Sequence, residues 1–232
     1  MKYLVVLFAG LGLVPEAHAS DWSDMRGAYG PQSGHDWSGT YIGGQVGQGW
    51  GHAKNDFWNG GTSAWDPDGD IDYKSLTGGL HIGVQQQFHA FAAGIEADLS
   101  LAHFYGDDAQ VAGRVNEIAI NALGTLRGRL AWTAGNLMVY GTAGLALAQF
   151  KKTDQAGRIP ANAQLAGGWT AGGGVEMALD GNWSIRAEYL HTRLNDTETA
   201  INVNDPPFVG TYAHRANAPA INLLRIGASY RF

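Results

Sequence analysis

The chain has 232 residues, 34 glycines, no cysteine and a formal net charge of −6. The lack of cysteine excludes a small disulfide-stapled exported scaffold, and the acidic balance argues against nucleic acid as a partner. With 8 Trp, 9 Tyr and 8 Phe but a mean hydropathy of only −0.17, the chain is aromatic-rich without being apolar on average, as expected of strands that are apolar on one face only.

In chain order, residues 1–19 read as a cleaved export signal. Lys2 is the positive start, Leu4 to Val14 the apolar core, and Ala17-His18-Ala19 a small-x-small cleavage site before Ser20. No other stretch approaches the roughly 18 apolar residues of a membrane helix. A membrane-embedded form of this chain would therefore be a closed barrel, the other architecture that satisfies every backbone group in lipid. Residues 20–36 are polar and Gly-rich and read as a flexible periplasmic leader; residues 37–232 read as the barrel domain.

The first strand, roughly Trp37 to Gly51, is so rich in glycine that its inward and outward faces cannot be told apart. Leu76 to Phe88 alternates clearly, with Leu76, Leu80, Ile82, Val84 and Phe88 on one face and Thr77, His81, Gln85 and Gln87 on the other. Phe91 to Leu101 sets Ala93, Ile95, Ala97, Leu99 and Leu101 against Glu96, Asp98 and Ser100. Ile118 to Leu130 sets Ile118, Ile120, Ala122, Leu126 and Leu130 against Glu117, Asn121, Thr125, Arg127 and Arg129. Four more segments follow: Leu137 to Phe150, Trp169 to Leu179, Trp183 to Leu194 and Ala220 to Phe232. Each reaches the roughly 9–11 residues that a tilted transmembrane strand needs. The connections alternate. His89-Ala90, Ala131 to Asn136 and Asp180 to Asn182 are short, whereas His52 to Asp72, Phe104 to Val115, Lys151 to Ala166 and Asn195 to Pro219 are long and polar. Short periplasmic turns and long external loops are the arrangement of outer-membrane barrels. The final strand ends on Tyr230, Arg231 and Phe232. Its lipid-facing parity holds Leu224, Ile226, Ala228, Tyr230 and Phe232, with Arg225 and Arg231 facing in. No peptidoglycan-binding domain is expected after it. The expected fold is all-β: an eight-stranded antiparallel, transmembrane, up-and-down barrel in the outer membrane.

Several segments carry a resemblance. Trp37-Ser38-Gly39-Thr40-Tyr41-Ile42-Gly43 resembles the opening of the porin-like outer-membrane β-barrel family of proteobacteria, which groups with the opacity proteins and the OmpA-type membrane domain. Gly124-Thr125-Leu126-Arg127-Gly128-Arg129-Leu130 is similar to another of its strands, with Ala131 where a glycine is usual. Val139 to Ala146, Gly168 to Glu176 and Trp183 to Leu190 resemble three more. The resemblance implies an eight-stranded barrel of the surface-antigen kind, some relatives being hemin binders. It also implies that the insertion machinery reads Tyr230 and Phe232 as a terminal assembly signal. These motifs are structural and bring no catalytic residue with them.

The inward parity gathers Glu96, Asp98, Glu117, Glu176 and Glu188 with Arg127, Arg129, Arg186, Arg225 and Arg231. An eight-stranded barrel has an interior just wide enough for side chains to fill. Equal numbers of acids and arginines are what a closed, mutually paired filling requires, because an unpaired buried charge is very costly. A narrow ion path along the same charges is the competing reading. His52, His103 and His214, near the outer loop ends, are weak candidates for heme ligation. Asp66, Asp68, Asp70 and Asp72 are weak candidates for Ca²⁺, in a loop that is otherwise a solvated acidic one. For an enzyme, His191 and Thr192 with Glu188 make the nearest approach to a catalytic set, but His191 and Thr192 have opposite parity and face opposite sides of the wall. The sequence thus points to a non-enzymatic structural barrel and surface antigen without a cofactor. Its expected partners are outer-membrane lipid, lipopolysaccharide and the barrel-insertion machinery, with a host or small-molecule ligand at the loops. The alternatives are a hemin-binding or adhesin surface protein and a narrow porin.

Overall fold

The computed structural model of the protein describes the backbone of residues 34–59, 64–106, 116–154, 163–195, 197–203 and 210–232, and the side chains of residues 34–51, 74–101, 122–149, 165–195 and 220–232. The segment read as an export signal and most of the segment read as a leader lie outside the described residues.

Seven strands follow one another as an antiparallel meander: β1 (Gly39–Asn59), β2 (Ala64–Phe88), β3 (Phe91–Gly106), β4 (Asn116–Ala134), β5 (Leu137–Asp154), β6 (Ala163–Ala178) and β7 (Trp183–Leu194). A short β8 (Thr197–Val203) precedes β9 (Gly210–Arg231). The long β9 pairs with β7 from Trp183↔Tyr230 to Arg193↔Ala220 and with β1 from Tyr41↔Arg231 outward. That second pairing closes the sheet into an eight-stranded antiparallel barrel. Among the described residues there is no helix.

β8 is an addition to the expected strand count. It pairs only with the outer part of β9, from Thr197↔Ala216 to Val203↔Gly210, and continues the line of β7. The strands also run well past their expected outer ends. Much of what reads as the loop His52 to Asp72 is ladder, from His52↔Asp72 to Asn59↔Ala64. The outer ends of β3, β5, β6 and β9 likewise lie in the other segments read as loops, and β4 starts at Asn116, two residues before its expected start. Beyond the apolar band nothing requires an outward apolar side chain, so the alternation that marks a strand fades. The backbone groups still gain by pairing, and the hairpins continue in polar sequence.

At the opposite end the turns are tight. His89 takes φ 57° in the β2–β3 turn and Gly135 takes φ 60° in the β4–β5 turn. In the β6–β7 turn the Asp180 carboxylate accepts hydrogen bonds from the backbone N–H of Trp183 at 2.7 Å and of Asn182 at 2.9 Å.

The outer face is apolar and uncovered by protein: Leu76 is 82% exposed and Leu130 71%. Lipid is the solvent such a face requires. Near the turns this band ends in aromatics, with Trp183, Tyr230 and Phe232 edge to face at 5.3 and 5.2 Å. In the glycine-rich β1, Tyr41 and Gln45 are buried and face in, whereas Ile42, Val46 and Trp50 are exposed and face out. Bare backbone at Gly83 makes room for the Tyr41 ring, and at Gly43 for His81; a Cβ at either would collide with that ring.

Candidate functional site

The inward faces of β3, β4, β6, β7 and β9 converge on a layer of buried charge. Alternation places Glu96 and Asp98 of β3, Arg127 and Arg129 of β4, Glu176 of β6, Arg186 and Glu188 of β7, and Arg225 and Arg231 of β9 on the same side of the wall, all nearly inaccessible. Arg127 sits at the centre, with Nη2 2.5 Å from Glu96 Oε1 and 3.0 Å from Asp98 Oδ2, and Nη1 3.0 Å from Glu188 Oε1. Arg225 bridges the same two neighbours, at 3.0 Å from Asp98 Oδ1 and 2.6 Å from Glu188 Oε2. Arg127, Glu188, Arg225 and Asp98 thus form a closed ring of alternating charge.

The strand order gives this ring its mechanical meaning. Around the barrel β3 lies opposite β7, and β4 lies opposite β9. The ring therefore ties the neighbouring β3 and β4 to the neighbouring β7 and β9 on the opposite wall, through two cross-lumen links, β4 to β7 and β3 to β9. Arg186 reaches Glu96 Oε2 at 2.6 Å and Gln45 Oε1 at 2.8 Å, carrying the network to β1. Arg129 pairs with Glu176, whose other oxygen accepts from the Ser184 hydroxyl at 2.7 Å. Two tyrosines complete the layer. The Tyr41 hydroxyl donates to Glu96 at 2.8 Å and accepts from Arg129 at 3.1 Å. The Tyr140 hydroxyl donates to Glu188 at 3.1 Å, and its ring lies 3.6 Å from the Arg129 guanidinium carbon. Stripping ions of water costs several kcal/mol each unless partners replace the hydration, and here each carboxylate faces at least one guanidinium.

Arg231 stands at the edge of this set. It lies 4.0 Å from Glu176 but donates to the Trp37 carbonyl at 2.5 Å and packs over the Trp37 and Tyr41 rings. Glu117 lies on the outer part of β4, and its side chain is outside the described residues. The side chains of His52, His103 and His214 and of Asp66, Asp68, Asp70 and Asp72 are outside them too. Among the described residues no group of three potential metal-ligating side chains gathers.

Sequence parity did not reveal two apolar layers that bracket the charge. On the loop side Leu123, Ala146, Ala148, Ala166, Leu190, Leu194, Ile221 and Leu223 form one buried cluster. On the turn side Trp37 caps the interior with Ala92, Ala131, Met138, Tyr140 and Ala178. Trp37 lies before β1; its N–H donates to Gln87 Oε1 at 2.8 Å. Just before it, His35 is held below its ordinary pKa by partial burial and by the nearby Arg231 charge. The exposed Asp180 carboxyl is lowered by the N–H bonds from Trp183 and Asn182.

Inward His81 pairs through Nε2 with the Ser229 hydroxyl at 2.9 Å, crossing over β1 at Gly43. Thr192 is fully buried, its hydroxyl donating to that of Thr170 at 2.9 Å. His191 lies on the outer face beside Asn222. A single wall separates the two.

Comparison with known proteins bears on this geometry. Residues 6–232 match the sequence model of the outer membrane protein beta-barrel domain. The 31 kDa outer-membrane immunogenic protein of Brucella melitensis is 28% identical over 247 residues, covering 99% of this chain and 97% of that protein. The 22 kDa outer membrane protein of Rhizobium leguminosarum is 29% identical over 67% of this chain and 64% of its own length. The crystal structure of the outer membrane protein OprG from Pseudomonas aeruginosa superposes with a TM-score of 0.58 at 15% identity, over 86% of this chain and 99% of that one.

Proposed function

This chain belongs to the outer membrane protein beta-barrel domain family and resides in the outer membrane, and from that premise we propose that it is a structural barrel and surface antigen whose lumen is closed by its own side chains. The observation that carries this reading is the ring of Arg127, Glu188, Arg225 and Asp98, which joins β3 and β4 to β7 and β9 across the lumen. An ion path would need those charges to separate, and each separation would leave a buried ion unpaired at a cost of about 3–5 kcal/mol. The apolar layers above and below the charges support the same reading, because neither offers an ion replacement for its water.

The surface-antigen part rests on the Brucella relative, named as an immunogenic outer-membrane protein, and on strands that run on past the apolar band at the end away from the tight turns. Catalysis has no part in the proposal: His191 and Thr192 lie on opposite sides of one wall. Around the barrel we expect outer-membrane lipid and lipopolysaccharide, and during assembly the insertion machinery reading Tyr230 and Phe232. The test is a pair of measurements on the refolded barrel: planar-bilayer conductance and a Soret titration with hemin. The proposal expects silence in both. Stable conductance steps would establish a porin, and a saturable Soret shift a hemin binder.

A further inference from the structure

Toward the loop end of β2, β1, β9 and β7 a row of polar and aromatic side chains interrupts the apolar outer wall. Across β2, β1, β9 and β7, Lys74 pairs with Trp50, Trp50 with Asn222, and Asn222 with His191. All four side chains point outward. Three strand spacings of about 4.8 Å put the two ends of this row about 14 Å apart. One pair further out, Arg193 of β7 is exposed next to Trp169 of β6. Lys74 and Arg193 form no ion pair with any described residue, in contrast to the arginines inside. The row is fixed rather than loose. The Tyr189 hydroxyl donates to Asn222 Oδ1 at 2.8 Å, and His191 Nδ1 lies 2.9 Å from the same oxygen. The Trp50 and Tyr189 rings lie 6.3 Å apart, and those of Trp169 and His191 5.7 Å. With its oxygen engaged, Asn222 keeps its amide N–H groups as donors.

The depth of the row identifies its surroundings. Arg193 lies ten residues along β7 from Trp183, which belongs to the aromatic group at the turn end. At about 3.3 Å per residue and a tilt of about 40° that is about 25 Å, the height of the apolar band. Arg193 and the His191 end of the row therefore lie where the acyl chains of the outer leaflet meet their headgroups, and because the strands tilt the row rises from there toward Lys74, fourteen residues along β2 from Phe88, among the headgroups themselves. Directly below it, on the lipid side, runs a shallow groove of about 410 Å³ lined by Val46, Leu76, Leu224 and Ile226. The groove exists because the outward positions flanking Val46 and Ile226 in the register are Gly78 and Ala187.

We propose that this face of β2, β1, β9 and β7 binds one molecule of the phosphorylated glycolipid of the outer leaflet, the lipid A moiety of lipopolysaccharide. An acyl chain lies in the groove, Lys74 and Arg193 hold phosphate, and Asn222 with the flanking indoles contacts the sugar. The charges select a phosphorylated headgroup, the position selects the outer leaflet, and the row is too wide for a single small phosphate. The proposal rests on the outer-membrane barrel reading and deepens its lipid contact into a defined site.

The test uses the folded barrel in detergent, titrated with bisphosphorylated lipid A, its dephosphorylated counterpart or phosphatidylglycerol, with bound lipid counted by native mass spectrometry. One retained lipid A per barrel is expected. Each cation near an anionic lipid surface contributes about fivefold, so Lys74→Gln with Arg193→Gln should weaken retention about twenty-five-fold. Val46→Trp, which fills the groove, should weaken it with both charges intact. The exposed charge pair decides the matter even where Val46→Trp fails to fold, because the heat-dependent gel shift reports folding separately. Equal retention of phosphatidylglycerol or dephosphorylated lipid A, an unaffected charge variant, or a second copy of the chain covering this face would overturn the site. A folded, non-conducting barrel that ignores lipid A would overturn the site alone and leave the structural reading standing.

Discussion

The interior holds two neighbouring regions built on the same inward parity by opposite physics. In the charged layer Arg127, Glu188, Arg225 and Asp98 hold opposite walls together through bonds with defined donors and acceptors. In the apolar layer toward the loops, Leu123, Leu190, Leu194, Ile221 and Leu223 fill the same cross-section by contact. The first region is specific but unforgiving, because every ion depends on another. The second is tolerant but undirected, because any side chains of the right volume serve. Charge fixes which strands face each other across the lumen, and apolar filling closes the space that fixed frame leaves.

The largest expected effect breaks the charged side of this contrast. Arg127→Ala leaves Glu96, Asp98 and Glu188 short of a shared cation and should cost about 3–5 kcal/mol, measured by urea titration of folding into detergent. A cost within the error of that titration would mean that water, not Arg127, satisfies those carboxylates. Next comes the apolar side. Leu190→Ala should cost about 2–4 kcal/mol by cavity formation. Adding Leu223→Ala, its partner across the β7–β9 pair, should enlarge the loss, since an apolar neighbour left behind carries no unpaired charge to relieve. Partial recovery in the double variant would erase the distinction between the layers.

Deleting Phe232 tests the outer rim below both. The exposed ring is worth at most about 3 kcal/mol of burial, too little to unfold the barrel. The expected defect is therefore in assembly: periplasmic accumulation in cells, with normal refolding of purified protein. Normal surface levels in cells would remove the signal role, and failed refolding would make Phe232 a stability residue. The smallest effect concerns Asp180. Its folded-state pKa is lowered by the Trp183 and Asn182 N–H groups, so its contribution is present above the unfolded value of about 3.9 and is lost as pH falls through the lowered value. Asp180→Ala should lower stability slightly at neutral pH, with the difference from the parent vanishing in acid below the lowered value, so that the acid limb is slightly flatter. An unaltered acid limb would remove the turn from the account.

Much of this architecture was legible in the sequence. The faces of β2, β3, β4 and β7 followed from alternation, because one side of each strand meets lipid and the other meets charge. Where both sides are apolar the same logic fails. Parity with Phe232 puts Leu224 on the lipid face, but Ile221 and Leu223 are just as apolar, so only the folded barrel shows them packed into a layer inside the lumen. β1 was opaque for the opposite reason, its glycines carrying no polarity to alternate. The acids and arginines could be named, but their pairing depends on which strands end up opposite after closure. That is a property of the whole barrel, which no single segment contains. Trp37, outside any strand, gave no periodic sign that it caps the interior.

The most direct test of the central claim is a double-mutant cycle across the lumen, with Arg127→Ala, Glu188→Ala and both together, read from equilibrium folding in detergent. If the ring braces opposite walls, the double variant loses less than the sum of the two single losses, with a coupling of about 1–3 kcal/mol. Strict additivity would contradict the account, because it would mean that Arg127 and Glu188 meet the interior independently and that the ring holds nothing together.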